Sequence, residues 1–184
     1  MSMPEDSRIV VGVAGRIGSG KTAIAQRFER DSGFQYLRYS QVLAEWHHVD
    51  PSDKSQLQRI GEEVMVSGRQ LELNRRVIDR LDPTRDAVID GLRHPIDFEC
   101  LFTEFGARFS LIFVDTPPKA RFERRRDRFS TFEQYREADS RPVEAHIDSL
   151  RSHAFVVLSG TMSDENLMAS LNDLILELRE RIAI

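Results

Sequence analysis

Apolar residues along this chain alternate between two patterns. Short, continuous apolar runs, many of them rich in β-branched residues, are typical of buried strands, and they lie at residues 9–14, 36–39, 87–90, 110–115 and 155–159. Between them, apolar residues recur at helical spacing, at residues 53–81 with a break at Ser67-Gly68, and at 95–105, 118–128, 142–152 and 167–182. Strands that alternate with helices predict an α/β fold, with a parallel sheet covered by helices on both faces.

A glycine-rich loop joins the first predicted strand to the first predicted helix. Its sequence, GRIGSGKT, matches the G-x-x-x-x-G-K-[ST] pattern. Glycines let backbone N–H groups turn inward, and the helix start adds partial positive charge, so the loop is suited to bind phosphates. Lys21 is expected to reach the β- and γ-phosphates of a nucleotide, and the Thr22 hydroxyl to bind Mg²⁺. The predicted nucleotide-binding residues of the loop are Gly15, Arg16, Ile17, Gly18, Ser19, Gly20, Lys21 and Thr22.

A second candidate element ends the third predicted strand, where the sequence is VIDGLRHP. Asp90 lies at the carboxyl end of that strand, at the same sheet edge as the glycine-rich loop, and can hold Mg²⁺ directly or through water. Gly91 lets the chain turn sharply beside a ligand, and Arg93 can then reach an acceptor phosphate. The competing interpretation is that Asp90-Gly91 is only a turn.

An arginine-rich segment follows the fourth predicted strand. In a helix over 118–128, Arg121, Arg124 and Arg128 share one face, whereas Arg125 and Arg126 face solvent. Guanidinium groups stabilise the charge that spreads over a moving phosphoryl group, and they do so without deprotonation. The segment is therefore a candidate anion site; the alternative is a solvated helix face paired with nearby acidic residues.

The polar segment that follows has two interpretations. Arg136, Asp139 and Arg141 either close over a ligand as part of a lid or are exposed surface charges.

Composition restricts the classes of partner. The length of 184 residues suits a single domain over 1–184. A net charge of −4 argues against general binding of nucleic acid.

No apolar stretch approaches the length of a membrane span, and the first six residues, expected to be irregular, lack the character of a signal peptide. The lone Cys100 is expected in the core. We expect a cytoplasmic protein with a small anionic ligand.

These motifs, in this order, resemble the P-loop nucleoside-monophosphate kinase superfamily, and above all its dephospho-CoA-kinase-like and adenylate-kinase-like branches. The resemblance covers nearly the whole chain and includes VDTPPKARFERRRDR, similar to the strand and lid helix of the family, and FVVLSGTMSDENL, similar to its last strand and adenine border. It implies a three-layer P-loop kinase fold with a five-stranded parallel sheet of order 2-3-1-4-5, a small lid at about 121–141, ATP with Mg²⁺, and a small acceptor.

The resemblance also implies residue roles. Lys21 and Arg128 would contact the transferring phosphoryl group, and Arg124 would lie near the adenine or the donor phosphates. The expected catalytic residues are Lys21, Asp90, Arg124 and Arg128. The expected acceptor-binding residues are Arg93, Arg141 and Ser40, and the expected Mg²⁺ ligands are Thr22 and Asp90.

The chain departs from the family after the second strand. Adenylate-kinase-like members carry S-x-G-D-x-x-R there, but Gln41 replaces the acid and Ala44 the arginine. Dephospho-CoA kinases place an aspartate near this point to activate a ribose hydroxyl, and none lies between Asp31 and Glu45. The sequence therefore leaves two main hypotheses: an ATP-dependent phosphotransferase for a nucleotide or related metabolite, or a nucleotide-binding regulatory protein with little kinase activity. A polynucleotide kinase or RNA-associated ATPase is a third, which the net acidity disfavours.

Overall fold

The computed structural model describes residues 7–183, so the expectation for the first six residues lies outside it. Its strands are β1 (Val10–Ala14), β2 (Gln35–Arg38), β3 (Ala87–Leu92), β4 (Phe109–Asp115) and β5 (Val156–Ser159). They form one parallel sheet in the order β2-β3-β1-β4-β5. The fold class and the predicted strand order are confirmed.

Helices connect the strands and cover the sheet. They are α1 (Lys21–Ser32), α2 (Tyr39–His47), α3 (Lys54–Val66), α4 (Gln70–Ile78), α5 (Pro95–Phe105), α6 (Pro118–Glu123), α7 (Phe132–Asp139), α8 (Pro142–Ser149) and α9 (Asp164–Ile182). The predicted break at Ser67-Gly68 separates α3 from α4, and Gly68 has a φ of 71° that suits glycine. In the part of the chain that the structure describes, no helix is long and apolar enough to span a bilayer.

The sheet separates two hydrophobic clusters. Val10 and Ala14 of β1 contribute to the cluster beneath α2 to α5, whereas Val11 and Val13 contribute to the cluster beneath α1 and α9. Successive strand residues point to opposite faces, and both faces are covered, so the central strand β1 is buried and apolar along its whole length. The three-layer architecture places the ends of β1 and β3 side by side.

One predicted helix is too long. The segment 118–128 was expected to be helical throughout, but α6 ends at Glu123. Turns continue the chain, with Arg128 N donating to Arg125 O at 2.9 Å, and they bring Phe129 into a small apolar cluster outside the main core. A straight helix would crowd like charges along its length, whereas the turns separate the arginines.

Candidate phosphate-binding and acceptor site

The glycine-rich loop joins β1 to α1 with a backbone that only glycine accommodates easily. Gly18 and Gly20 have φ values of 77° and 98°, in the left-handed region that residues with a Cβ rarely adopt. A Cβ on Gly18 would also lie 2.6 Å from the carbonyl oxygen of Arg121. Helix α1 begins at Lys21, so the N–H groups of its first turn, which have no partner within the helix, adjoin the loop.

Thr22 and Asp90 meet where β1 and β3 end. Thr22 Oγ1 donates a hydrogen bond to Asp90 Oδ2 at 2.7 Å, and the Tyr36 hydroxyl donates to the same oxygen at 3.1 Å. Asp90 is only 3% exposed, and its Oδ1 is buried without a hydrogen-bond partner. Mg²⁺ prefers oxygen ligands and is usually held by one or two carboxylates together with substrate phosphates. These two side chains therefore fit the predicted metal site.

Among residues 7–183, no cluster of three or more metal-ligating side chains of the His, Cys, Asp or Glu type is found. Mg²⁺ usually keeps several waters and binds through one or two carboxylates together with substrate phosphates, so it does not require such a cluster.

Lys21 lies between groups of both signs. Burial, together with the nearby Arg93, lowers the pKa of its ammonium to about 8, although Asp90 and Glu144 act in the opposite direction. The carboxylates therefore compensate the positive charge only in part. A bound phosphate would supply the missing negative charge.

A cavity of about 240 Å³ opens beside Lys21 and is called the main cavity below. Helices α2, α3 and α4 supply an apolar wall that includes Leu43, Leu57 and Leu73. The predicted site residues that line it are Ile17, Lys21, Thr22, Ser40, Asp90, Arg93, Arg128 and Arg141. Residues predicted to bind the nucleotide and residues predicted to bind the acceptor thus line one cavity.

Four arginines from different segments line this cavity: Arg38, Arg93, Arg128 and Arg141. Burial lowers the pKa of Arg128, and the positive charges of Arg125, Arg141 and Arg93 lower it further. Arg128 Nη2 donates to Gln58 Oε1 at 3.1 Å. Like charges at close range repel one another, so an anionic ligand would relieve the repulsion.

Arg124 occupies a different position, and the prediction that it shares a face with Arg128 is wrong because α6 ends first. Its Nη1 donates to Ser19 O at 3.0 Å and its Nη2 to Gly160 O at 2.5 Å. Arg124 therefore links the glycine-rich loop to the segment between β5 and α9. Among the other loop residues predicted to bind nucleotide, Gly15 to Gly20, Ile17 N donates to Glu144 Oε2 at 3.4 Å and Ser19 N to Arg16 O at 3.1 Å.

Arg125 and Arg126, both expected to face solvent, lie in different surroundings. Arg126 is exposed and pairs with Glu123, its Nε lying 2.8 Å from Oε2, as expected. Arg125 instead lies against the glycine-rich loop, where a Cβ on Gly18 would come 3.1 Å from its Cγ. Its positive charge also contributes to the lowered pKa of Lys21.

The segment predicted to be a lid, residues 121–141 and called the lid segment or lid below, packs against the glycine-rich loop. Phe122, Phe129, Tyr135 and Ala138 form its own apolar cluster, and Ile17 of the loop packs against that cluster. The loop and the lid therefore share an apolar contact in addition to polar ones.

Arg121 and Asp139 connect α6, α7 and the loop. Arg121 is 4% exposed and donates through Nε to Thr116 O at 2.9 Å and through Nη2 to Asp139 Oδ2 at 2.9 Å. Arg16 Nη1 lies 3.0 Å from Asp139 Oδ2, and Arg16 Nε donates to Asp148 Oδ1 at 2.8 Å. Arg121 is thus occupied by structural contacts. Arg136 is exposed, which agrees with a surface charge.

The residues after β2 also have structural roles. Ala44 is 2% exposed within the core beneath α2, and Gln41 is exposed, with Nε2 donating to Glu45 Oε1 at 3.3 Å. Neither supplies a group to the main cavity.

Sequence reasoning missed one buried acid at the site. Glu144 of α8 is 1% exposed and lines the main cavity. No motif marks it, because it is a single acid in the first turn of an ordinary helical pattern.

No model of a known protein family matches the chain. It is 30% identical to a UPF0200 protein of Pyrobaculum aerophilum over 179 residues, which cover 92% of this chain and 98% of that protein. It is also 30% identical to a dephospho-CoA kinase of Thermus thermophilus over 113 residues, which cover 59% of this chain and 52% of that one.

Solved structures of low sequence identity share the fold. A shikimate kinase from Acinetobacter baumannii aligns with a TM-score of 0.66 at 17% identity, over 94% of this chain and 95% of the other. A shikimate kinase from Bacteroides thetaiotaomicron aligns with a TM-score of 0.60 at 16% identity, over 92% and 98% of the two chains.

Proposed function

The chain belongs to the UPF0200 family, within the dephospho-CoA-kinase-like branch of the P-loop kinase superfamily, and we propose that it is an ATP-dependent phosphotransferase. The acceptor of the γ-phosphoryl group would be a small anionic nucleotide or related metabolite. One observation carries this proposal: Lys21 and Asp90 line the same cavity as Arg93, Arg128 and Arg141. In this proposal, the donor site and the acceptor site adjoin in one cavity.

In this proposal, catalysis depends on positioning and charge neutralisation. The amides of the glycine-rich loop and Lys21 hold the β- and γ-phosphates, and Arg124 contributes at the adenine side. Thr22 and Asp90 would hold Mg²⁺, which neutralises phosphate charge when bound. Arg93, Arg128 and Arg141, with Ser40, orient the acceptor. The lid excludes water that would otherwise hydrolyse ATP, and the whole of 1–184 forms one kinase domain.

The alternative is a regulatory protein that binds ATP without transferring phosphate. It is favoured by Gln41 and Ala44, which lack the charged groups that adenylate-kinase-like members use after β2. Arg93, Arg128 and Arg141, which line the cavity, favour the kinase because they provide the positive charge from other segments.

An acceptor screen separates these two functions. With ATP and Mg²⁺ present, ADP release is measured by a coupled assay while nucleotides and metabolites are added one at a time. The kinase predicts that at least one acceptor raises the rate several-fold over the acceptor-free rate. ATP that binds but is not consumed faster with any acceptor would support the regulatory function instead.

Asp90→Asn is expected to weaken the use of Mg²⁺. The amide keeps the shape and can still accept from Thr22, but it lacks the charge that attracts the cation, so apparent Mg²⁺ affinity should fall about 10–100-fold. A Mg²⁺ titration of ADP release at fixed ATP measures this change. Asp115→Asn is the matched control, because Asp115 ends the neighbouring strand β4 and pairs with Arg151 at the surface. An unchanged Mg²⁺ requirement in Asp90→Asn would argue against the metal role.

A further inference from the structure

Glu144 is a buried acid that the mechanism above does not use. Its Oε2 accepts a long hydrogen bond from Ile17 N at 3.4 Å, and its Oε1 is buried without a hydrogen-bond partner. The nearest cation, Arg93 Nη1, lies 4.0 Å from Oε1. A carboxylate buried with so few contacts is costly, so its position calls for a functional explanation.

Asp97, a second buried acid of the main cavity, has hydrogen-bond partners for both of its carboxylate oxygens. It is also 1% exposed and lines the main cavity. However, its two oxygens accept four hydrogen bonds of 2.6–3.0 Å, from the side chains of Gln70 and Asn74 and from the backbone of Arg93 and His94. Glu144 therefore retains a capacity to accept hydrogen bonds that Asp97 lacks.

Glu144 lies beside the place where a terminal phosphate would be held. It contacts the backbone of Ile17 in the glycine-rich loop, and its charge acts directly on Lys21. Burial raises the pKa of Glu144, while Arg93 and Lys21 oppose that shift. A carboxylate whose proton affinity is raised is better suited to accept a proton near neutral pH.

The other cavity carboxylates are less suitable as bases. Among the described residues, the acids that line the cavity are Glu62, Asp90, Asp97 and Glu144. Asp90 is occupied by Thr22 and Tyr36 at the metal site, and Asp97 is fully hydrogen-bonded. Glu62 is exposed on α3, where Gln58 Nε2 donates to it at 3.5 Å. Asp90 Oδ1 also lacks a hydrogen-bond partner, but it lies at the proposed Mg²⁺ site. Among the described acids of the cavity, Glu144 is therefore the buried one outside that site with a free oxygen.

Building on the proposed function, we propose that Glu144 is the catalytic base for an acceptor hydroxyl. The acceptor is then an alcohol that also carries an anionic group, bound by Arg93, Arg128 and Arg141. A phosphate acceptor would not need this base, because a phosphate monoester is already largely ionised at pH 7. Glu144 supplies, from α8, the acid that is missing after β2.

The step balances as a simple displacement. The hydroxyl oxygen forms a bond to the γ-phosphorus of ATP while the bond from that phosphorus to the β–γ bridging oxygen breaks. ADP leaves with the electron pair of the broken bond. The hydroxyl proton passes to a carboxylate oxygen of Glu144 and later to water.

Glu144→Gln tests this role with little change in shape, because the amide oxygen can still accept from Ile17 N. Wild type and variant are assayed for ADP release with anionic hydroxyl acceptors (shikimate, dephospho-CoA) and with phosphate acceptors (AMP, CMP, UMP). Phosphorus NMR of each product identifies whether a hydroxyl or a phosphate oxygen was phosphorylated. We expect a hydroxyl compound to be the acceptor. We expect Glu144→Gln to lower kcat about 10²–10⁴-fold while ATP affinity is retained or increases.

Two further variants complete the experiment. Glu133→Gln changes an exposed acid in the first turn of the neighbouring helix α7 and should keep wild-type activity. Glu144→Asp keeps a carboxylate and should retain a kcat between those of wild type and Glu144→Gln, so a general loss of folding is not mistaken for loss of the base. Thermal unfolding of each variant is measured alongside.

The inference is overturned if Glu144→Gln has a wild-type or higher kcat, if Glu144→Asp is as inactive as Glu144→Gln, or if phosphate oxygens are the only groups phosphorylated. Any of these results leaves the kinase proposal in place as long as some acceptor is phosphorylated. The kinase proposal itself fails if the folded wild type binds ATP without phosphorylating any acceptor, or does not bind it.

Discussion

Lys21→Ala is expected to abolish measurable phosphoryl transfer and to weaken ATP binding strongly. A charge-assisted hydrogen bond contributes about 1.5–3 kcal/mol, which corresponds to about 10–100-fold or more in affinity. Donors aimed at charge that develops in the transition state commonly contribute a further 10²–10³-fold in rate. Binding is measured with ATP and Mg²⁺ by equilibrium dialysis, and turnover by ADP release.

The same substitution should leave the fold intact. Burial lowers the pKa of Lys21 to about 8, which means that the folded chain disfavours the charged form, so removing it should not lower the midpoint of thermal unfolding. Lys119→Ala is the control, because Lys119 is exposed on α6 and does not line the main cavity. Full activity in Lys21→Ala would refute the role of this residue.

Arg121→Met is expected to cause the largest loss of stability among single substitutions in the lid. The change keeps most of the apolar side chain but leaves Asp139 with Arg16 and a hydrogen bond of 3.4 Å from the Tyr135 hydroxyl. It also removes the donors to Thr116 and Ile17. Breaking a buried pair typically costs about 3–5 kcal/mol, which for a domain of this size lowers the unfolding midpoint by on the order of 10 °C. Thermal unfolding measures the midpoint, and hydrogen exchange of α7 reports whether the lid opens.

Arg126→Met provides the comparison for that loss. Arg126 pairs with Glu123 at the surface, where their side chains are 65% and 59% exposed, and exposed pairs contribute about 0–1 kcal/mol. Its unfolding midpoint should stay close to that of wild type. Equal midpoints for Arg121→Met and wild type would contradict the structural role of Arg121.

Features that depend on neighbouring residues or on the order of the strands could be predicted from the sequence. The glycines of the loop and the apolar run before it identify the strand, the loop and the start of α1, because each of these depends on neighbouring residues alone. Asp90 could be placed beside Thr22 because parallel strands present their carboxyl ends at one edge. The structure confirms that contact.

The sequence does not predict where the arginines point. Arg121, Arg124 and Arg128 were placed on one helical face, but the early end of α6 gives them three separate environments. The end of a helix depends on what its last residues pack against, here the lid cluster around Phe129 and Tyr135. The residues of this cluster pack against Ile17 of the glycine-rich loop, about a hundred residues earlier in the chain, so neighbouring residues do not reveal the contact.

Glu144 is the clearest case of a site residue without a sequence pattern. Its place in the cavity depends on α8 packing beside the glycine-rich loop, a contact across more than a hundred residues of chain. The missing acid after β2 indicates that a base is absent there, but not which other element supplies one. Only the folded arrangement identifies the candidate.

The central claim is that the glycine-rich loop and Lys21 hold the phosphates of ATP. Equilibrium dialysis of the folded wild-type chain against ATP and Mg²⁺ tests it most directly. The account predicts saturable binding of one ATP per chain, which is strongly weakened in Lys21→Ala. Folded wild-type protein that retains no ATP at millimolar concentration would contradict it.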